Sequence, residues 1–164
     1  SCLRDGYISS SGSLVKKFED KFSQRLKRKY GISVSNGTAA LQIAFEALKI
    51  KKGDEVILPS FTIISCILPV IRAKAKPVLI DSDPVTWNMN VDQIEKKISK
   101  KTKLIIVPHI YGLPVNMEPL RQWEKFRKAK ALKEKNQDSP PIATPVKILF
   151  IFILVLILLV YLLN

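Results

Sequence analysis

The chain has 164 residues, of which 47% are hydrophobic and 25% charged, a length that suits one modest domain with an extension. Its two cysteines and single histidine are too few for a disulfide framework or a zinc site built from Cys and His, so no metal site is expected. The net charge of +13 brings nucleic-acid binding into consideration, but aromatic residues are only 8% and do not alternate with basic ones. We therefore expect no nucleic-acid partner.

An amphipathic helix is predicted after a Gly/Ser-rich loop at residues 6–12. Gly31 ends this helix, and residues 32–34 are predicted to form a short strand that leads into a polar turn. Apolar residues at helical spacing define the predicted buried face of the helix: Leu14, Val15, Phe18, Phe22 and Leu26.

The polar turn at Ser35, Asn36, Gly37 and Thr38 carries residues that favour helix N-termini, and an apolar-periodic segment follows it. Gly37 has no Cβ, so a ligand can approach the backbone there. The first-turn N–H groups and the helix dipole favour an anion such as phosphate, and the Thr38 hydroxyl can donate a further hydrogen bond. An ordinary capped helix start explains the same residues, so the turn alone leaves both interpretations open.

Three short apolar segments separated by helical patterns predict an α/β fold with a mostly parallel sheet and flanking helices. Strands are expected at 55–58, 77–80 and 103–108. One helix is expected from Thr62 or Ser65 to about residue 72, and another over 91–98.

Polar or glycine-containing loops follow each of these strands, at residues 60–62, 81–83 and 109–111, as the 36–38 turn follows the first predicted strand. Because ligands of parallel sheets bind outside the carboxyl ends of the strands, we expect the four segments to cluster at one edge.

The aspartates and the histidine in these loops have competing interpretations, whereas Trp87 has one. Asp81 and Asp83 could pair around a metal, but Asp-x-Asp-Pro after a strand favours turn and cap chemistry. His109 could be catalytic, but we favour a hydrogen-bonded structural role. Trp87 is expected to pack.

Several short segments, taken in order, resemble the sugar-nucleotide aminotransferases of the DegT/DnrJ/StrS type, including perosamine-synthase-like enzymes. The resemblance covers residues 6 to about 120. It implies part of the large domain of a fold-type I enzyme that depends on pyridoxal phosphate (PLP). It also implies a cytoplasmic homodimer that transfers an amino group, commonly from glutamate, to a keto-sugar nucleotide. The matching segments are residues 6–10, 35–41, 53–57, 59–62, 77–83, 86–88 and 109–112.

The resemblance also implies a cofactor site. Gly37, Thr38 and Ala39 would hold the PLP phosphate, and Ile63 would lie against the pyridine ring. The family usually has an aromatic residue at the position of Ile63, so the stacking contribution is lost here. Further site-lining positions implied by the resemblance are Asn36, Thr62, His109 and Tyr111.

Two groups that the family reaction needs have no counterpart in this sequence: the Schiff-base lysine and the carboxylate that faces the pyridinium nitrogen. Asp138 lies at about the expected distance but follows no strand, so we do not assign it the second role. We therefore expect no turnover by this chain alone, and its status as an enzyme is uncertain. Two alternatives stay open: a membrane-tethered, non-catalytic partner of a full-length homologue, or a non-functional truncated product.

Past residue 120 the composition changes. Residues 1–120 are predicted to form the aminotransferase-like domain, residues 121–145 a basic, Pro-containing linker, and residues 146–164 a hydrophobic helix. That helix would be slightly short for a bilayer but could act as a tail anchor, with the basic flank and the N-terminal domain cytoplasmic. A chance ending produced by a shifted reading frame explains the same abrupt change.

Overall fold

The computed structural model describes residues 12–125 and the backbone of residues 147–152. These residues belong to two compact units, divided within one helix between Ala44 and Phe45. The first unit contains helix α1 (Ser13–Arg25) and the start of helix α2 (Gly37–Ala47). The second contains a four-stranded sheet with short helices.

Helix α1 begins directly after Gly12 and ends before the predicted stop at Gly31. The face predicted to be buried is only partly covered, because Leu14, Phe18 and Leu26 keep 40–48% of their surface exposed. The rings of Phe18 and Phe22 contact each other with centroids 6.0 Å apart.

The segment after α1 folds back onto it. The Glu19 carboxylate accepts hydrogen bonds from the backbone N–H and the hydroxyl of Ser33, at 2.8 and 2.9 Å. A Cβ at Gly31 would lie 2.8 Å from the Glu19 carbonyl oxygen, so only glycine fits this approach. The predicted strand over 32–34 is reduced to one bridge residue, Ile32.

The sheet confirms the predicted parallel α/β architecture. Strand order is β2-β1-β3-β4, and every neighbouring pair is parallel. The first three strands contain β-branched or leucine runs bounded by Gly, Pro or Lys-rich turns, as predicted. The strands are β1 (Glu55–Pro59), β2 (Lys76–Ile80), β3 (Thr102–His109) and β4 (Lys147–Phe152).

The core of this unit lies against the sheet. Ile57 of β1 and Ile105 of β3 are fully buried, and Ile80 ends β2 in the same cluster. Met89 and Val115 join this cluster from the loops that follow β2 and β3. Each loop is therefore anchored in the core near its C-terminal end.

The connections between strands are short and broken helices. The predicted helix after β1 forms as a 3₁₀ turn and a five-residue helix α3, because Pro69 at the helix start interrupts the pattern. The predicted helix over 91–98 likewise forms as a 3₁₀ turn and the short helix α4. The bounds are Ile64–Cys66, α3 Leu68–Arg72, Val91–Gln93 and α4 Ile94–Lys97.

The predicted hydrophobic helix over 146–164 is wrong for its first part. Residues Lys147–Phe152 form strand β4, paired with β3 in parallel from Leu104 to His109. A short apolar run does not distinguish a buried strand from a helix by its periodicity, and the edge of β3 supplies the hydrogen-bonding partner that decides for a strand. The remaining residues of that prediction, 153–164, lie outside the described residues.

A helix that we name α5 spans residues 118–125, the last described residues before β4. Its Leu120 is buried in the core cluster, and Trp123 packs against that cluster. The rest of the predicted basic linker lies outside the described part. Within residues 12–125 and 147–152, no helix is both long and apolar enough to cross a bilayer.

Candidate functional site

The turn at the start of α2 forms a capped helix N-terminus. The Asn36 side-chain oxygen accepts a hydrogen bond from the Ala39 N–H at 2.9 Å, and its backbone oxygen accepts from the Ala40 N–H at 3.1 Å. Gly37 is exposed, and a Cβ built on it would meet no atom within 4 Å. Open space therefore lies over the backbone at Gly37, where an anion can approach the helix N-terminus.

Three loops of the second unit meet at the carboxyl ends of β1, β2 and β3. Pro59 of β1 is in register with Ile80 of β2, and the Ser60 N–H donates to the Ile80 oxygen at 2.8 Å. The side chain of Asn88, from the loop after β2, accepts from the Ile110 N–H after β3 at 3.0 Å. The predicted clustering of these three loops is confirmed.

The loops after β1 and β2 expose several apolar side chains. Phe61 and Trp87 pack with ring centroids 5.4 Å apart, which confirms the packing role expected for Trp87, although its side chain remains 56% exposed. Ile63, the residue predicted to face the cofactor ring, is 48% exposed. A planar ligand could therefore reach this aliphatic side chain.

Thr62 lies in the same loop and turns inward. Its hydroxyl donates to the Cys66 sulfur at 3.3 Å. Cys66 is fully buried, and burial raises the pKa of its thiol. Thr62 thus stabilises the loop in addition to the site-lining position predicted for it.

Asp83, the second aspartate after β2, has the turn and cap geometry expected from the sequence. The Asp83 carboxylate accepts hydrogen bonds from the N–H groups of Val85 and Thr86, at 3.0 and 2.7 Å, and from the Thr86 hydroxyl at 2.9 Å. The bonds from Thr86, and then that from Val85, lower the pKa of Asp83. No group of three or more His, Cys, Asp and Glu in the described residues could hold a metal ion.

His109 ends β3 with its side chain turned into the protein, only 3% exposed. Its Nδ1 accepts a hydrogen bond from the Val115 N–H at 3.0 Å, which requires a neutral ring with the proton on Nε2. Burial lowers the pKa of His109, which favours the same neutral form. These contacts fit the structural role that we favoured over a catalytic one.

Tyr111 is the most exposed of these residues. It lies two residues past the end of β3, with φ of 50° and 92% of its surface exposed. Its phenol is available to a ligand at the carboxyl edge of the sheet.

The four segments predicted to cluster are thus divided between the units. Residues 60–62, 81–83 and 109–111 meet in the second unit, whereas the turn at Asn36, Gly37, Thr38 and Ala39 belongs to the first. A site shared by the two sets stays a prediction. The sequence analysis did not identify a role for Asn88, a buried asparagine whose side chain bridges two loops. Its position shortly after the turn at Asp83 was only a weak signal in the sequence.

Comparisons with a family model and with known proteins agree on one family. Residues 1–133 match the DegT/DnrJ/EryC1/StrS aminotransferase family. A GDP-perosamine synthase from Escherichia coli O157:H7 is 44% identical over 126 residues, covering 77% of this chain and 35% of that protein. A dTDP-3-amino-3,6-dideoxy-alpha-D-galactopyranose transaminase from Aneurinibacillus thermoaerophilus is 40% identical over 132 residues, covering 80% and 36%.

Solved structures agree with these relatives. A putative sugar aminotransferase from Streptococcus pneumoniae in its PMP form superposes with a TM-score of 0.69 and 31% identity, covering 77% of this chain and 32% of that one. Its PLP form gives the same TM-score at 29% identity. The chain spans about a third of the length of the relatives that it matches. On sequence and on fold, the chain belongs to the DegT/DnrJ/EryC1/StrS aminotransferase family.

Proposed function

We propose that this chain carries the phosphate-binding part of a PLP-dependent sugar-nucleotide aminotransferase and binds PLP without a covalent lysine. The observation that carries the proposal is the N-terminus of α2, where Asn36 caps the helix and the space over Gly37 is open. A phosphate there would meet backbone N–H groups of the first turn and the positive end of the helix dipole.

The residues present fit the phosphate end of the cofactor better than its ring. Gly37, Thr38 and Ala39 would hold the phosphate, with the Thr38 hydroxyl as an added donor. The Ala39 N–H would exchange the Asn36 side-chain oxygen, which it meets at 2.9 Å in the unliganded chain, for a phosphate oxygen. Ile63 would contact the pyridine ring by dispersion alone, since an aliphatic side chain provides no aromatic stacking. We therefore expect weak binding.

When bound, PLP supplies the electron sink that lets an amino group move between a donor and a keto-sugar nucleotide. The lysine and the carboxylate that this chemistry needs have no match among the residues of this chain, and His109 is turned inward as a hydrogen-bond acceptor. Turnover would therefore need these groups from another source, such as the remaining two thirds of the family's length on the same or a second chain.

The proposal is tested by titrating the purified 164-residue chain with PLP and following the absorbance and the phosphorus NMR signal of the cofactor. Gly37→Val places a branched side chain in the open space over the turn. It should weaken PLP binding about tenfold or more, because at least one charge-assisted hydrogen bond is lost.

Ala47→Val adds similar bulk at the exposed far end of the same helix and serves as the matched control. It should bind PLP like the wild-type chain. Equal affinity of the Gly37→Val and Ala47→Val variants would show that the cofactor does not bind at this turn.

A further inference from the structure

Two buried polar side chains hold the loop at residues 110–115, which follows β3. Asn88 and His109 are 4% and 3% exposed. The Asn88 amide accepts from the Ile110 N–H and donates to the Leu113 oxygen, both at 3.0 Å. His109 accepts from the Val115 N–H at 3.0 Å. Asn88 thus ties the two sides of the loop tip together, and His109 fixes its far end.

Asn88 is itself held in place by the turn after β2. Its backbone oxygen accepts from the Asp83 N–H at 2.8 Å, and its N–H donates to the Thr86 hydroxyl oxygen at 3.4 Å. That hydroxyl donates in turn to the Asp83 carboxylate at 2.9 Å. Local hydrogen bonds among Asp83, Thr86 and Asn88 therefore fix the backbone from which the Asn88 amide extends to the next loop.

The loop that Asn88 holds has an unfavourable backbone at its tip. Tyr111 has φ of 50°, in the left-handed region that bulky residues rarely adopt, and Gly112 follows with φ of 83°. With 92% of its surface exposed, Tyr111 gains almost nothing from burial in this conformation. Contacts on either side of the tip must hold it. The Leu113 N–H donates to the Ile110 oxygen at 3.0 Å, and the Asn88 amide reinforces this turn by bonding to the Ile110 N–H and the Leu113 oxygen.

We infer that Asn88 is a positioning residue for Tyr111: its amide holds the loop tip closed and keeps the phenol at the carboxyl end of β3. This is the edge at which parallel sheets bind ligands. The Tyr111 phenol would therefore already be in position in the unliganded chain. The ligand at that edge rests on the proposed function, whereas the clamp is a property of the chain alone.

Hydrogen exchange of single backbone amides, measured by NMR on the unliganded 164-residue chain, tests this inference. Asn88→Leu keeps the shape of the side chain and removes both of its hydrogen bonds. Exchange at the Ile110 amide, which loses its acceptor, and at the Leu113 amide, which closes the same turn, should rise about tenfold or more, while the core amides of Ile57 and Ile105 exchange as in the wild-type chain.

Asn88→Asp keeps the acceptor and loses the donor, so it separates the two halves of the clamp. The Ile110 amide should stay protected while the Leu113 amide exchanges faster, because a carboxylate repels the Leu113 oxygen. This variant also carries the test if Asn88→Leu does not fold. Asn90→Leu is the matched control, because the Asn90 side-chain oxygen accepts from the Asp92 N–H at 3.2 Å and so caps the next 3₁₀ turn instead of the loop after β3.

A fluorine signal gives a readout of Tyr111 itself. In chain labelled with 3-fluorotyrosine, the resonance lost in Tyr111→Phe identifies Tyr111, and it should shift towards the free amino acid in Asn88→Leu but not in Asn90→Leu. An unshifted resonance with unchanged Ile110 exchange would overturn the inference. Equal acceleration of loop and core amides would also overturn it, because Asn88 would then support only the fold. Failure of PLP to bind would leave all these results unchanged.

Discussion

The turn at the start of α2 and the loop after β3 carry most of the predicted site residues, yet they are built in opposite ways. In the turn, Asn36 caps an N–H three residues away, and both partners are exposed to solvent. In the loop, Asn88 bonds to groups 22 and 25 residues away inside the protein. The turn is specified locally, whereas the loop depends on the sheet that brings β2 and β3 together.

The two regions should therefore differ in how well they tolerate substitution. A helix N-terminus keeps its anion-binding groups wherever the helix forms, because they are its own backbone N–H groups. The loop loses its shape when the core beneath it shifts, since Val115 belongs to the cluster that contains Ile57 and Ile105. Substitutions in the two regions should therefore have effects of different size.

The largest effect is expected in the core under the loop. Ile105→Ala removes a fully buried side chain from the centre of the sheet and should lower the free energy of unfolding by about 2–5 kcal/mol. Urea denaturation measures the change. Ile64→Ala, at a position 65% exposed, is the control and should change stability by less than about 0.5 kcal/mol.

Alanine substitutions of Asn88 and Asn36 compare the loop and the turn directly. Asn88→Ala leaves the Ile110 N–H and the Leu113 oxygen without their partner and should cost roughly 2–4 kcal/mol. Asn36→Ala removes an exposed helix cap and should cost about 1 kcal/mol. Chemical denaturation of both variants gives the ratio, and equal losses would contradict the distinction between a local turn and a core-dependent loop.

Substitutions of two glycines in the first unit compare a crowded backbone position with an open one. Gly31→Ala places a Cβ 2.8 Å from the Glu19 oxygen and should destabilise the chain by about 1–3 kcal/mol, because backbone must move. Gly37→Ala meets nothing within 4 Å and should leave stability unchanged or slightly raised. Thermal melts followed by circular dichroism distinguish them; a Gly31→Ala melt like that of wild type would remove the steric argument.

The smallest expected effect is a pH dependence from His109. Burial lowers its pKa in the folded chain, so the unfolded chain binds a proton first as the pH falls below about 6.5. The stability from neutral His109 is fully present above that pH and declines below it, by no more than about 1.4 kcal/mol per pH unit.

Unfolding free energies at about pH 7.5 and about pH 5.5 should therefore differ in the wild-type chain and differ less in His109→Gln. Asp83 and Glu55 also have lowered pKa values, but their contributions are lost only near the lower pH range of carboxyl groups. Identical pH dependence in both chains would show that His109 is not held neutral.

Elements that depend on a local sequence pattern could be predicted from the sequence alone. The strands β1, β2 and β3 follow from apolar runs bounded by turn residues, and the α2 cap follows from Asn36 and Gly37. The Asp83 carboxylate accepts hydrogen bonds from backbone N–H groups only two and three residues further along the chain, so its role in the turn was also predictable from the sequence.

Features that depend on partners distant in sequence were not predictable. The Asn88 clamp joins residues from two loops, and nothing in the local pattern indicates which asparagine is buried. The segment Lys147–Phe152 was predicted to be helical because its composition is uniformly apolar, and only the edge of β3 decides for a strand. The split of the helix after β1 follows from Pro69, a local signal that the prediction did not use.

The central claim is that the α2 turn binds PLP through its phosphate and without a covalent bond to the protein. Borohydride reduction of the PLP-loaded 164-residue chain, followed by peptide mass spectrometry, tests it most directly. We expect saturable PLP binding that Gly37→Val weakens, with no lysine modified in proportion to the PLP bound. Stoichiometric modification of one lysine, lost in Gly37→Val, would contradict it.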